Sequence, residues 1–281
     1  MKIIVVDDHI AAQETVTVGL ASDPATKHHV VTGVRTPDEL HRIDDLGTFG
    51  LAFVDLDFRR QSRKTGLFAL RLLDRAQVPA VIYAADDEDN RVLFLLAAFR
   101  FYRPWALVSK RASGAEIRKL VATIDSGARP KSSAMQRYQP PTRGISVLDR
   151  LIVRAGDIPI WRALATQSDR NAIAEVTDVS RSKVDSFLNE HSAVVAEIEE
   201  ELLLRTPPEP VPETRATLGR AARTHAHRLA PLHSFAVEHH RFFQDAEVKE
   251  LIEAKGQVRV ELTIFGRPVP VELEYWQVEH V

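Results

Sequence analysis

Cysteine is absent from the 281 residues, so the chain can form neither a disulfide framework nor a Cys-ligated metal site. Its formal net charge is only -2, and any contact with nucleic acid therefore has to be local. Long apolar runs are also missing: residues 92–99 are too few to span a bilayer, and Met1-Lys2 leads straight into an apolar strand-like run. We therefore expect a cytoplasmic chain of about two domains with no membrane partner.

Four short apolar runs end in or near polar residues, at positions 3–6, 51–54, 80–83 and 106–108. Such runs are typical of strands that are buried on both faces. Helical stretches separate them, at about 10–21, 37–46, 66–75, 88–99 and 113–126. The alternation predicts βαβ units and an α/β, doubly wound parallel sheet.

The remainder of the chain changes character several times. Residues 128–148 are rich in Pro, Ser and basic residues, which indicates a linker, and we interpret it as a solvated tether. Residues 149–205 are mostly helical in pattern. Prolines then open an extension, 206–281, whose role the sequence does not reveal: it has a helical stretch interrupted at Pro231 and alternating residues around Gly266-Arg267 that predict a β-hairpin. The first domain then comprises residues 1–127.

Charged residues follow three of the apolar runs. Asp7 and Asp8 follow the first run, Asp55 follows the second and Lys110 lies just beyond the last. Ligands in parallel sheets bind at the carboxyl ends of strands. Carboxylates that meet there repel each other unless a cation joins them, and a hard ion such as Mg²⁺ suits oxygen ligands. A carboxylate can also attack phosphorus and form an aspartyl phosphate. Unrelated loop acids are the alternative, but a single acid would fit that alternative better than this set.

The segments MKIIVVDDH, LAFVDLDF, VPAVIYAA and ALVSKRAS, in this order, resemble the receiver domain of two-component response regulators. The resemblance implies a flavodoxin-like fold in which Asp55 accepts a phosphoryl group from a sensor histidine kinase and Lys110 pairs with the phosphoryl oxygens. It also implies a Mg²⁺ ion held by Asp8, Asp55 and the backbone carbonyl of Asp57, with Asp7 in support. Asp57 is a rival acceptor, because it lies two residues on and faces the same side of an extended chain.

Two positions depart from the family pattern. Ala84 stands where the family usually has Thr or Ser, whose hydroxyl moves to the phosphoryl group on activation. Leu107 stands where the family has its switch aromatic. The carboxylates are present while both usual relay residues are absent, so the usual readout of phosphorylation is not expected to operate in this chain.

The helical segment contains a second motif. Ile173, Val176 and Val179 have helical spacing, Thr177-Asp178 predicts a break, and Ser180 is a good N-cap for a following helix. Two helices with a tight turn are the plan of the helix-turn-helix, whose second helix enters the major groove. The stretch NAIAEVTDVSRSKVDSFL resembles the LuxR-type output domain. The implied recognition helix runs to about residue 191, and its candidates for DNA contact are Ser180, Arg181, Ser182, Lys183, Ser186 and Asn189.

A plain two-helix hairpin would show the same apolar spacing, and the charge of the segment weighs against DNA. Residues 151–205 contain six basic and ten acidic side chains, and five of the acids lie at 190–201, which we assign to a separate, later helix. The sequence therefore leaves two hypotheses, neither of them an enzyme. One is a homodimeric DNA-binding transcriptional regulator with an atypical receiver. The other is a receiver-coupled adaptor that binds protein and not DNA. A receiver that dimerises without phosphorylation is a weaker third.

Overall fold

The computed structural model describes residues 1–58, 61–85, 91–131, 133–204, 220–255, 257–264 and 267–274. The chain forms two compact units, residues 1–148 and 149–281. The first unit is an α/β sheet domain. The second is helical and carries a two-stranded sheet near the end of the chain.

A five-stranded parallel sheet organises the first unit, with the strand order β2-β1-β3-β4-β5. Strands β1 to β5 are Lys2–Val6, Val30–Val34, Leu51–Val54, Ala80–Ala84 and Ala106–Ser109. This is the flavodoxin-like order, which confirms the predicted fold class. Strands β1 and β3 are neighbours in the sheet, so their carboxyl ends lie side by side.

Strand β2 was not among the strands predicted from the apolar runs. The side chains of Ile3 to Val6 in β1 and of Leu51 to Val54 in β3 are all fully buried, as expected for central strands covered on both faces. By contrast, β2 lies at the edge of the sheet, and Val30 is 60% exposed. An edge strand needs no continuous apolar run, so its sequence VVTGV gave no comparable signal.

Five α-helices accompany the sheet. Helices α1 to α5 are Ile10–Ala21, Pro37–His41, Gly66–Arg75, Val92–Phe101 and Gly114–Asp125. Helix α1 packs against α5, and α3 packs against both α2 and α4, as expected when right-handed crossovers place helices on both faces. The helix predicted at 37–46 is shorter than expected, because Arg42 ends α2 and only a short 3₁₀ turn, Leu46–Thr48, follows. The predicted start of α4 at residues 88–90 lies outside the described residues.

The segment after α5 is not simply a solvated tether, so that interpretation is wrong for part of it. A short helix, α6 (Ser133–Gln136), packs against β5. Met135 and Tyr138 are 6% and 7% exposed, and the Tyr138 ring stacks on Phe99 of α4 at 6.4 Å. Burial of two large side chains fixes this stretch to the first unit.

Helices make up most of the second unit. Helices α7 to α13 are Val147–Leu151, Asp157–Leu164, Arg170–Thr177, Arg181–Glu197, Arg220–Glu238, His240–Gln244 and Ala246–Lys255. The expected interruption at Pro231 is wrong, because Pro231 lies inside α11. The first residues of the predicted helical stretch, 214–219, lie outside the described part of the chain. Among the helices that are described, none is both long and apolar enough to cross a membrane.

Trp161 lies at the centre of the second unit. It is fully buried on α8, stacks on Phe243 at 4.8 Å and meets Phe187 edge-on at 5.1 Å. Its indole N–H donates to the carbonyl of Leu151, so the polar atom of this large side chain is satisfied. Three helices, α8, α10 and α12, therefore share one aromatic core.

The predicted β-hairpin near the end of the chain is confirmed. Strands β6 (Gln257–Ile264) and β7 (Arg267–Glu274) pair antiparallel, with Ile264 opposite Arg267. Gly266 and residues 275–277 of the prediction lie outside the described residues.

Gly66, the first residue of α3, packs against the backbone of the residues that directly follow β3. A Cβ atom at this position would lie 2.2 Å from the carbonyl oxygen of Asp55 and 2.6 Å from the Cα atom of Leu56. Since both are backbone atoms, we expect Gly66→Ala to destabilise the first unit by about 1–3 kcal/mol. Faster hydrogen exchange of β1 and β3 amides would show this. Gly47→Ala is the matched control, because its Cβ would meet only Ala76 O at 3.6 Å. Equal exchange rates in the two variants would contradict the prediction.

Candidate functional site

Asp7 and Asp55 lie side by side because their strands are neighbours in the sheet. The backbone N–H of Asp55 donates to Val6 O at 2.9 Å, and that of Asp7 donates to Val34 O at 3.0 Å. Both side chains are buried: Asp7 is fully buried, and Asp55 is 6% exposed. The Leu56 N–H donates to Asp55 Oδ1 at 2.7 Å and fixes that carboxylate. The structure therefore brings these two predicted site residues together.

Lys110 connects the two carboxylates. Its Nζ lies 2.8 Å from Asp7 Oδ2 and 2.8 Å from Asp55 Oδ2, and its side chain is only 17% exposed. The residue directly follows β5, and its backbone N–H donates to Ala84 O at 2.9 Å. An ammonium in this position can also reach a phosphoryl group attached to Asp55.

Asp8 and His9 lie close to Asp7 and Asp55, and we call these four residues the acid group. The Asp8 carboxylate is 8% exposed, and its Oδ1 lies 2.7 Å from His9 Nδ1. The His9 backbone N–H donates to Asp7 Oδ1 at 2.9 Å. His9 is not among the site residues predicted from the sequence, although its position directly after the acid pair at a strand end is a usable signal.

The acid group has the donor chemistry of a divalent-cation site. Asp7, Asp8, His9 and Asp55 each offer one ligand atom, and these atoms all lie within 4.8 Å of one another. Three carboxylates next to the single ammonium of Lys110 leave an excess of negative charge, and Mg²⁺ would neutralise it through oxygen ligands. The Asp57 side chain, which is half-buried, is not a member of this group. The role of its backbone carbonyl stays a prediction.

Burial governs the protonation of Asp55. Removal from water raises the pKa of Asp55 to about 7, the nearby Lys110 opposes this shift and the charge of Asp7 adds to it. Burial would lower the pKa of Lys110, but its contacts with Asp55 and Asp7 outweigh burial and leave that pKa raised. Lys110 is thus a fixed cation, whereas Asp55 needs further positive charge nearby to be fully ionised at neutral pH.

The second candidate site is a helix-turn-helix formed by α9 and α10. Asp169 caps α9, Asp178 ends it in the left-handed region at φ 53°, and Ser180 caps α10 by accepting from the Lys183 N–H. An ion pair of 2.8 Å between Arg170 and Asp185 joins the two helices. The break at Asp178 and the cap at Ser180 are both confirmed.

The polar residues predicted to contact DNA lie on the exposed face of α10. Val184, Phe187 and Leu188 are buried in the core of the second unit. All six candidates are exposed, namely Ser180, Arg181, Ser182, Lys183, Ser186 and Asn189. Arg181 and Lys183 lie in the first turn, where the positive end of the helix dipole adds to their charge.

One expectation about this region is wrong. The acids between 190 and 201 do not lie on a later helix, because α10 runs without a break to Glu197 and continues as a π-helical turn, Ile198–Leu202. The acidic end is about 15 residues from Lys183, so roughly 20 Å along the helix axis separates the basic from the acidic side chains. The helix is therefore basic at its start and acidic at its end.

The first unit combines a flavodoxin-like sheet with the acid group at the carboxyl ends of its strands. Among solved structures, the chain is similar to the RcsB response regulator of Salmonella typhimurium at 15% identity and a TM-score of 0.46, over 70% of this chain and 93% of that chain. A LuxR-family response regulator from Aurantimonas sp. SI85-9A1 matches at 21% identity and a TM-score of 0.39, over 49% and 93%. No protein-family model matches the sequence. No curated protein matches it either.

The raised pKa of Asp55 predicts an unusual dependence of stability on pH. The carboxyl loses its proton near pH 4 in the unfolded chain but only near pH 7 in the folded one, so the folded state binds more protons between these values. Without a divalent cation, this residue should lower the free energy of unfolding as pH rises from about 4 to about 7. Urea unfolding in EDTA would measure the trend. Asp55→Asn should remove this contribution, and an identical pH dependence in both proteins would contradict the assignment.

Proposed function

We propose that this chain is a response regulator whose first unit accepts a phosphoryl group on Asp55. The observation that supports this best is the position of Lys110, with its ammonium 2.8 Å from both Asp55 and Asp7. An Asp55 oxygen would attack the phosphorus while the bond from phosphorus to the donor breaks, and Lys110 would neutralise charge on the transferred group. A sensor histidine kinase is the proposed donor, and the regulator is proposed to be a homodimer.

Mg²⁺ is proposed to bind at Asp8, Asp55 and the backbone carbonyl of Asp57, with Asp7 in support, and it would stabilise negative charge on the phosphoryl oxygens. The protonation of Asp55 gives a second reason for the cation. A protonated carboxyl is a poor nucleophile, and positive charge beside Asp55 lowers its pKa and leaves the oxygen free to react.

Phosphorylation of Asp55 can be tested with acetyl phosphate. We expect the full chain to gain the mass of one phosphoryl group in the presence of Mg²⁺, and to gain none in EDTA. Asp55→Asn should abolish the gain, because an amide does not attack phosphorus. Asp57→Asn is the matched control and should leave it in place. A gain that survives in Asp55→Asn and disappears in Asp57→Asn would transfer the acceptor role to the rival residue.

We propose further that α10 binds DNA. Arg181 and Lys183 in its first turn are exposed to solvent, and Val184 and Phe187 on its opposite face are buried in the core. The acidic far end does not oppose this geometry, since a recognition helix approaches the groove with its N-terminal residues. A protein-binding adaptor is the second candidate, and the run of Glu199, Glu200 and Glu201 on the same helix favours it.

Lys183→Ala tests the DNA proposal. If Lys183 contacts a phosphate, its loss should weaken binding to all fragments and flatten the dependence of log K on log salt by roughly one unit. If it contacts a base edge, discrimination at one position should fall by about 1–3 kcal/mol. The readout is electrophoretic mobility shift with genomic fragments at several salt concentrations.

Arg154→Ala is the control for net charge, because it removes one exposed cation from the same unit outside the helix-turn-helix. Equal weakening by Arg154→Ala and Lys183→Ala would indicate general attraction rather than a specific helix. If the wild type binds no fragment at low salt, with or without acetyl phosphate, the adaptor function replaces DNA binding, and phosphorylation of Asp55 is unaffected by that outcome.

A further inference from the structure

A second group of metal-ligand side chains lies at the other end of the sheet from Asp55. His28 and His29 directly precede β2, so they lie at the amino ends of the parallel strands. Asp125 is the last residue of α5. One ligand atom from each of these three side chains lies within 4.8 Å of the others. Neither the phosphoryl-acceptor site nor the helix-turn-helix uses them.

The two imidazoles are held close together by the turn that carries them. The His29 backbone N–H donates to Thr26 O at 3.0 Å, and the Thr26 hydroxyl donates to Leu20 O at 2.8 Å. The two ring centroids are 4.1 Å apart. His29 is 9% exposed, and its Nδ1 lies 3.1 Å from the protonated amino group of Met1, a contact that has to break, or lose the proton of the amine, when a metal ion binds. His28 and Asp125 are exposed and can adjust around an ion.

The end of α5 favours a cation at this place. Backbone carbonyls give the carboxyl end of a helix a partial negative charge, and Asp125 adds a carboxylate to it. Residues 122–125 read ATID and contain no basic side chain, so the nearby positive charge in this group is the Met1 amino group beside His29. A bound cation would offset the negative charge, and it would join α5 to the segment before β2.

We propose that His28, His29 and Asp125 bind a divalent transition-metal cation, with Zn²⁺ as the representative ion. Two imidazole nitrogens and one carboxylate oxygen are ligands that Zn²⁺ accepts, whereas Mg²⁺ and Ca²⁺ prefer oxygen alone. Ligand atoms around a tetrahedral Zn²⁺ ion are about 3.4 Å apart, given bonds of about 2.0–2.1 Å. The ligand atoms of this group, which lie within 4.8 Å of one another, therefore need to approach by at most about 1.4 Å, and the two exposed members can supply the movement.

Isothermal titration of the untagged full chain with Zn²⁺ tests the site, with Mg²⁺ in excess to occupy the acid group around Asp55. We expect one equivalent to bind, and both His28→Ala and Asp125→Asn to weaken it by about tenfold or more, because each removes a ligand. These exposed positions are chosen over the buried His29, whose loss could disturb folding. His41→Ala removes an exposed histidine elsewhere in the first unit and should leave the affinity unchanged.

Chemical modification gives an independent readout. Zn²⁺ should slow the reaction of His28 with diethyl pyrocarbonate, measured by peptide mass, while His41 continues to react at its original rate. The proposal is overturned if Zn²⁺ binds equally well to His28→Ala and Asp125→Asn, if the full chain binds no Zn²⁺ at micromolar concentration, or if Asp8→Asn alone abolishes binding. The last result would place the ion in the acid group.

Discussion

The first unit depends on how one ammonium compensates carboxylates that have been taken out of water. Asp7 is fully buried and Asp55 nearly so, and Lys110 reaches both at 2.8 Å. Buried charges are tolerated only when they are paired, so the ends of β1, β3 and β5 have to stay in register with one another. The same compensation is incomplete, since burial still raises the pKa of Asp55. A site with too little positive charge can bind a divalent cation, and that cation would then also neutralise a phosphoryl group.

The two positions that depart from the receiver pattern carry neither a hydroxyl nor an aromatic ring. Ala84 is buried and carries no hydroxyl, and Leu107 is half-buried and carries no ring. The segment beyond α5 is packed instead of loose, because Tyr138 stacks on Phe99 of α4. This contact holds residues beyond α5 against the last turn of α4.

In the second unit, helix α10 has one buried face and one exposed face. The aromatic core around Trp161 buries one side of α10, and the polar side is exposed. Basic residues lie at the start of α10, and acidic residues lie in its π-helical continuation. A partner at the start of the helix would therefore contact positive charge, and a partner at its end would contact negative charge. DNA and an adaptor's protein target would therefore use different parts of the same surface.

The sequence alone determined four of the five strands of the sheet, the two main motifs and the hairpin, because these depend on local patterns. Apolar runs ending in acids predicted β1 and β3, and a cap at Ser180 after a break at Asp178 predicted the start of α10. Tertiary structure decided what local pattern cannot encode. Strand β2 has little apolar signal since it lies at an edge, Pro231 is accommodated inside α11, and Tyr138 is buried with its ring stacked on Phe99, a residue distant in sequence. The group of His28, His29 and Asp125 became a candidate for the same reason: convergence of side chains is a property of packing and not of spacing along the chain.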